Sequence, residues 1–231
     1  MTESKLWDKK YREKNIASSF KGTLSRSITF LKEFLEKNGG SLTGLQILDC
    51  GCGNGRNAVP LAEMGNTVFG LDISENAVKD ALEKGRKVKP QWKLHLFHAS
   101  MAELLPFPDS FFDVVADITS FDILLGEEEI DVHRQEVWRV LKPDGYFLYY
   151  DMDATDPYAL WLKSEGRMRE GGIIVSPEPG PIPFKIYSIA EVAAIFSNFR
   201  LLTSNVFRFK DTMYGREHDR AILCAIFQPK K

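Results

Sequence analysis

The sequence predicts an α/β fold: a central, mostly parallel sheet covered by helices on both faces. Three observations predict it. From residue 46 to residue 151, short apolar runs bounded by turn residues alternate with longer segments of helical periodicity. A parallel sheet with covering helices leaves that alternation in a sequence. A glycine-rich turn, GCGNG (51–55), follows the first apolar run. Two late apolar runs separated by a turn suggest an antiparallel end to the sheet. With 231 residues the chain can bury one large core, so the expectation is a single domain over 1–231.

Residues 1–44 read as an N-terminal helical cap. Leu24, Ile28, Leu31 and Leu35 fall on one helical face, and Asn38-Gly39-Gly40 stops the helix. Residues 45–151 form the expected cofactor-binding core. Its strands are QILDC (46–50), TVFGLD (67–72), KLHLFH (93–98), FDVVADI (112–118) and GYFLYYD (145–151). Its helices are 56–65, 74–86 and 127–141. Ser74 suits an N-cap. Glu127, Glu128 and Glu129 put negative charge at a helix start, where the dipole favours it, on a solvated face. The rhythm breaks after Asp151. Residues 153–187 are rich in proline and glycine and weakly periodic, which reads as a substrate-selecting or lid insertion. Residues 188–231 read as a helix and a C-terminal hairpin. Ser188 and Glu191 make a capping box ahead of Val192, Ile195 and Phe196. The hairpin strands are 201–209 and 221–227, and MYGRE (213–217) lies at the turn.

Composition narrows the classes. Apolar residues make up 44%, charged residues 27%, and the net charge is −2, so a dedicated nucleic-acid surface is not expected. Three cysteines without framework spacing read as a reduced, cytoplasmic chain. The charged N-terminus does not resemble a secretory signal, and no apolar run reaches the ~20 residues of a membrane span. Cys50 and Cys52 lack a second pair, so they read as small residues in a tight turn, with no metal expected. Cys224 reads as core. His95 and His98 read as packing or surface residues, and His133, among charges in mid-helix, as exposed. His218 in the late turn reads as surface or as facing substrate. Trp92 and Trp138 read as core or surface anchors.

The chemistry gathers at the glycine turn. Glycines let the backbone turn tightly and approach a ligand closely. In doubly wound folds ligands sit at the carboxyl ends of the strands. Asp72 ends the second strand, 21 residues after Gly51, where a carboxylate suits a ribose diol. The pair reads as adenosine binding. The dinucleotide fingerprint G-x-G-x-x-G is not met, because Gly55 comes one place early. Asp49, just under the loop, would repel a pyrophosphate and suits a ligand carrying ammonium and sulfonium charges.

D-x-G-x-G-x-G (49–55) with the strand-end Asp72 resembles the class I S-adenosylmethionine-dependent methyltransferases. ELLPFPDSFFDVV (103–115) resembles that family's approach to its fourth strand. EVWRVLKPDGYFLYYD (136–151) resembles the helix and fifth strand of the ubiquinone-biosynthesis type. GNGRNAVPLA (53–62) and WDKKY (7–11) are similar to the tellurite-resistance type. The resemblance implies a three-layer Rossmann-like sandwich whose central seven-stranded sheet is mostly parallel, with the last strand antiparallel. It implies S-adenosyl-L-methionine as cofactor, S-adenosyl-L-homocysteine as product, and no metal. Gly51, Cys52 and Gly53 would line the methionine moiety with Asp49 near it, and Tyr11 would close over that end. Asp72 would bind the ribose hydroxyls, with Ile73 against the adenine. Ser100, Met101 and Ala102 would meet the adenine edge. Family members often carry an acid there, and Met101 takes its place, so backbone groups or the Ser100 hydroxyl would replace it. Asp117 and Ile118 would face the cofactor and the acceptor.

A sulfonium is an activated methyl donor, so in-line displacement needs mainly positioning. A general base enters only if the acceptor must lose a proton. Asp117 and Asp151 are the acids best placed, and no catalytic residue is assigned. DITSF (117–121) stands where adenine N6-methyltransferases carry N/D-P-P-Y, and no acid cluster resembles the catechol-type metal site. Tyr158, Trp161 and Phe184 are the candidates for an apolar substrate wall. Arg208, Arg216 and Arg220 are candidates for an anionic acceptor, and each also reads as hairpin surface. The expected function is methyl transfer to a small molecule, with nucleic acid not expected as a partner and the oligomeric state not legible. The alternatives are a methyltransferase acting on RNA or protein, an NAD-dependent oxidoreductase, and a non-catalytic cofactor-binding protein.

Overall fold

The computed structural model describes residues 3–14, 25–90, 93–177, 181–213 and 216–231. Leu24, Trp92 and the centre of the 213–217 turn lie outside them. A seven-stranded sheet has the order β3-β2-β1-β4-β5-β9-β8. Its strands are β1 (Gln46–Cys50), β2 (Thr67–Asp72), β3 (Leu94–His98), β4 (Phe112–Ile118), β5 (Leu141–Met152), β8 (Phe199–Met213) and β9 (Arg216–Pro229). β1 to β5 pair in parallel. The last strand, β9, runs antiparallel between β5 and β8. This is the mostly parallel sheet with an antiparallel last strand expected from the sequence.

Alternation along the strands builds two cores. Ile47, Val114, Leu148 and Ile222 face one side, under α2 (Arg26–Lys37) and α3 (Ala58–Glu63). Leu48, Val115, Phe147 and Leu223 face the other, under α5 (Glu127–Val140) and α7 (Ile189–Ile195). Ile28, Leu31 and Leu35 of α2 are buried, and each contributes roughly 1.5–3 kcal/mol by leaving water. Ser74 caps α4 (Glu75–Gly85), and Ser188 with Glu191 forms the capping box of α7, as expected. α1 (Glu3–Arg12) lies against α4.

Two regions differ from expectation. The hairpin is longer than 201–209 and 221–227. Its ladder continues past the core through polar pairs such as Lys210 with Asp219 and Thr212 with Glu217, and Lys210 Nζ reaches diagonally to the Glu217 carboxylate at 2.8 Å. The 153–187 segment is not structureless. It holds α6 (Pro157–Ser164) and a two-stranded ribbon, β6 (Ile174–Val175) with β7 (Pro183–Phe184). Tyr158, Ala159, Leu162, Ile174 and Phe184 form a small core of its own.

Asp156 joins this segment to the sheet. It caps α6 by accepting from the Ala159 N–H at 3.0 Å. Its other oxygen accepts from the Ala221 N–H at 2.7 Å and the Arg220 Nε at 3.0 Å. Arg220 is therefore buried, not hairpin surface, because a buried acid holds it. Asp156→Ala removes a cap and half of a buried ion pair, a loss of about 3 kcal/mol. Thermal melting should drop by about 6–12 °C, and Asp156→Asn, which keeps the cap, should lose less.

Candidate functional site

The sheet order reverses at β1 and β4, and a solvent-open cleft of about 650 Å³ lies beyond their carboxyl ends. Tyr11, Gly51, Asp72, Ile73, Ser100, Met101 and Ala102 line it, so seven of the twelve cofactor candidates meet there. Asp49, Cys52, Gly53, Asp117 and Ile118 are buried just beneath or beside the lining.

The loop after β1 needs its glycines. Gly51 and Gly53 have φ of 65° and 53°, the left-handed region. A Cβ on Gly51 would collide with the Ser120 side chain, and one on Gly53 with the Tyr11 hydroxyl. The loop is tied to the next strand. The Cys52 N–H donates to the Leu71 carbonyl at 2.9 Å, and the Gly53 N–H to Asp72 Oδ2 at 2.8 Å. Asp72 Oδ1 accepts from the Ser74 N–H at 2.8 Å. Each Asp72 oxygen keeps a further lone pair. Burial raises the Asp72 pKa, opposed by these N–H bonds.

Asp49 is a buried acid in an unfavourable electrostatic setting. It is 1% exposed, and its Oδ2 has no hydrogen-bond partner. Burial, then the nearby carboxylates of Asp117 and Asp72, push its pKa to about 8, against one bond from the Ala58 N–H. Asp151 is also buried and held well above the usual carboxylate range by burial and then by Asp122 and Asp117. Its two oxygens accept from the Asp122 N–H at 3.0 Å and the Met152 N–H at 2.8 Å.

α1 roofs the cleft. Asp8 accepts from Ser74 Oγ at 3.1 Å, the Asn76 N–H at 2.9 Å and Asn76 Nδ2 at 2.8 Å. Ser4 Oγ donates to the Ile73 carbonyl at 3.0 Å. These bonds set Trp7 in the lining and the Tyr11 hydroxyl over Gly53. Trp7 was not among the sequence candidates, although it sits one helical turn from Tyr11. Thr119, Ser120, Ile123, Leu124 and Glu129 also line the cleft and were missed, because they belong to an irregular turn after β4 and the start of α5.

His133 corrects an expectation. It is fully buried rather than exposed. It shares the inner face of α5 with Val137 and Val140, four and seven residues on, while the flanking charges point outward. That periodicity was the available signal. Its Nε2 lies 3.0 Å from Asp117 Oδ2, at ion-pair distance but outside hydrogen-bond alignment. Its Nδ1 lies 3.2 Å from the Met101 carbonyl. Asp117 Oδ1 is 2.6 Å from Ser120 Oγ, which is also 2.8 Å from the Cys50 carbonyl. The other histidines behave as read: His95 stacks on Phe69, and His98 is exposed. Cys224 is core.

None of the five substrate candidates lines the cleft. The Tyr158 ring lies 4.7 Å from His218 and 6.0 Å from the half-exposed Trp161. Phe184 belongs to the small core of the insertion. Arg208 is exposed and donates to Thr155 Oγ1 at 2.9 Å, and Arg216 is exposed on the hairpin. The insertion does reach the cleft wall. The Lys185 N–H donates to the Asp122 carbonyl at 2.8 Å and its Nζ to the Leu125 carbonyl at 3.1 Å, bracketing Ile123 and Leu124. Among the described residues no helix is long and apolar enough to cross a membrane.

Comparison with known proteins agrees with this geometry. The family model described as a methyltransferase domain matches residues 48–149. A methyltransferase of Geobacillus sp. (strain WCH70) is 35% identical over 125 residues, covering 52% of this chain and 49% of that protein. The chain thus spans about half the length of the curated relatives it matches, or less. In fold, it is similar to an S-adenosylmethionine-dependent methyltransferase from Methanosarcina mazei, with a TM-score of 0.70 at 22% identity, covering 84% of this chain and 96% of that one. It is also similar to Burkholderia thailandensis 1,6-didemethyltoxoflavin-N1-methyltransferase, solved with 1,6-didemethyltoxoflavin and S-adenosylhomocysteine. There the TM-score is 0.69 at 13% identity, covering 99% of this chain and 87% of that one.

The Asp49 shift carries a pH signature. Folded, Asp49 keeps its proton up to about pH 8; unfolded, it loses it near the ordinary value of 3.8. Between those values the unfolded chain binds fewer protons, so stability falls as pH rises. Asp49→Asn should melt like wild type at about pH 4 and increasingly above it toward about pH 8. Parallel curves would mean that Asp49 is ionised in the fold.

Proposed function

We propose, from the premise that residues 48–149 form a methyltransferase domain of the class I family, that this chain moves a methyl group from S-adenosylmethionine to a small-molecule acceptor, leaving S-adenosylhomocysteine. The observation that carries the reading is the unpartnered carboxyl oxygen of Asp49 beneath a glycine loop at the point where the strand order reverses. A buried acid with one oxygen unpartnered suits a cation and opposes a pyrophosphate. The donor set fits S-adenosylmethionine in other respects too. Gly51 and Gly53 let the Ser120 side chain and the Tyr11 hydroxyl pack onto the loop at the cleft edge. Asp72 keeps lone pairs for two ribose hydroxyls after accepting its backbone bonds. Ile73 and Met101 offer apolar surface for a planar base, and the Ser100 hydroxyl stands beside it.

When bound, the cofactor supplies a methyl group already activated on a sulfonium. Asp49 would hold the ammonium end, Asp72 the ribose, and Trp7 with Tyr11 would keep water from the methionine end. Asp117 and Asp151 are each 1% exposed and neither belongs to the cleft lining, so no general base is assigned to them. Positioning then supplies most of the rate. The 153–187 insertion, pinned to the turn after β4 through Lys185, would select the acceptor, with Trp161 as its exposed aromatic. A cytoplasmic setting suits three free, buried cysteines.

S-adenosylmethionine and S-adenosylhomocysteine should each raise the melting temperature in a concentration-dependent way, and NAD should not. With a methyl-labelled cofactor and a cell extract, label should enter the dialysable fraction. Label retained on protein or RNA would sink the small-molecule reading, and stabilisation by NAD alone would sink the cofactor reading.

A further inference from the structure

Behind the cleft runs a dry file of polar groups that the reaction itself does not require. It begins at Ser120, which lines one wall and follows β4. It passes through the Asp117 carboxylate and the His133 ring, both with fully buried side chains. It ends at the carbonyl of Met101, which lines the cleft and follows β3. The two ends thus belong to different loops of one cleft.

Proton counting constrains the file. A backbone carbonyl only accepts, so Nδ1 of His133 carries a hydrogen toward Met101. Nε2 and Asp117 Oδ2 then face each other at 3.0 Å. The contact is at ion-pair distance but outside hydrogen-bond alignment, so the ring and the carboxylate meet there by close packing and electrostatics. The imidazole therefore grips both loops at once.

We propose that His133 is a positioning residue that couples the two walls, holding the Met101 carbonyl directly and the Ser120 hydroxyl through Asp117. Ligand contact on either wall is felt at the ring. The inference rests on reading the cleft as the S-adenosylmethionine site. A hydroxyl, a carboxylate and an imidazole packed only for stability would not respond to a ligand.

The test uses wild-type protein with isotope-labelled histidine, titrated with S-adenosylhomocysteine. A long-range proton–nitrogen spectrum follows the ring nitrogens of His133, assigned by removing His95, His98 and His218 in turn. The His133 signals should shift in step with saturation. His133→Phe keeps a ring but removes both nitrogens, and should bind roughly tenfold more weakly while still melting cooperatively. His133→Gln keeps one donor for the Met101 carbonyl and should recover part of the loss. Saturation that leaves the His133 signals unmoved overturns the proposal, as does a folded His133→Phe that binds like wild type. If His133→Phe does not fold, the wild-type spectrum decides. If wild type does not bind S-adenosylhomocysteine at all, the reading of the cleft falls first.

Discussion

Asp49 is buried with one oxygen that nothing satisfies, and the rest of the cleft is arranged around that fact. An ionised carboxylate in a dry site is costly, and the neighbouring acids Asp117 and Asp72 make it costlier. The fold answers the same problem differently for each acid. Asp72 receives two backbone N–H groups. Asp117 receives the Ser120 hydroxyl on one oxygen and has the His133 ring 3.0 Å from the other, outside hydrogen-bond alignment. Asp49 receives a single N–H and otherwise holds a proton. That unsatisfied oxygen lies just beneath the glycine loop that edges the cleft.

The frame that keeps Asp49 in place is rigid, and the roof over it is lighter. β1 and β4 lie in the middle of the sheet with apolar layers on both sides. α1 rests on the cleft mainly through polar bonds from Asp8 and Ser4 to the turn after β2. An element with few buried apolar contacts opens at lower free energy than core strands do. That suits a roof that must admit a ligand and then enclose it. The same turn carries Asp72 and Ile73, so the roof and this edge of the cleft are fixed by one set of bonds.

Much of this was legible in the sequence, and the limits have physical causes. The parallel strands were readable because burial on both faces leaves continuous apolar runs. The caps at Ser74 and Ser188 were readable because a local hydrogen bond demands a residue type at a fixed spacing. Gly51 and Gly53 were readable because a tight left-handed turn against Ser120 and Tyr11 leaves no room for a side chain, and Asp49 and Asp72 because they stand at the ends of the strands beside it. His133 was misread because its chain neighbours are charged, and helical periodicity matters more than neighbourhood. Arg220 was misread because its partner, Asp156, is distant in sequence. The small core inside 153–187 was hidden because short elements carry too few residues to show a period. Ser120 and Thr119 were missed because an irregular turn has no pattern to read.

The most direct test of the account is calorimetric titration with S-adenosylmethionine at neutral pH in two buffers of different ionisation heat. A cation that ionises Asp49 must release its proton. The account predicts a binding enthalpy that depends on the buffer, by close to one proton per site, and that loses this dependence in Asp49→Asn. Binding with the same enthalpy in both buffers, or an unchanged dependence in the variant, would contradict it.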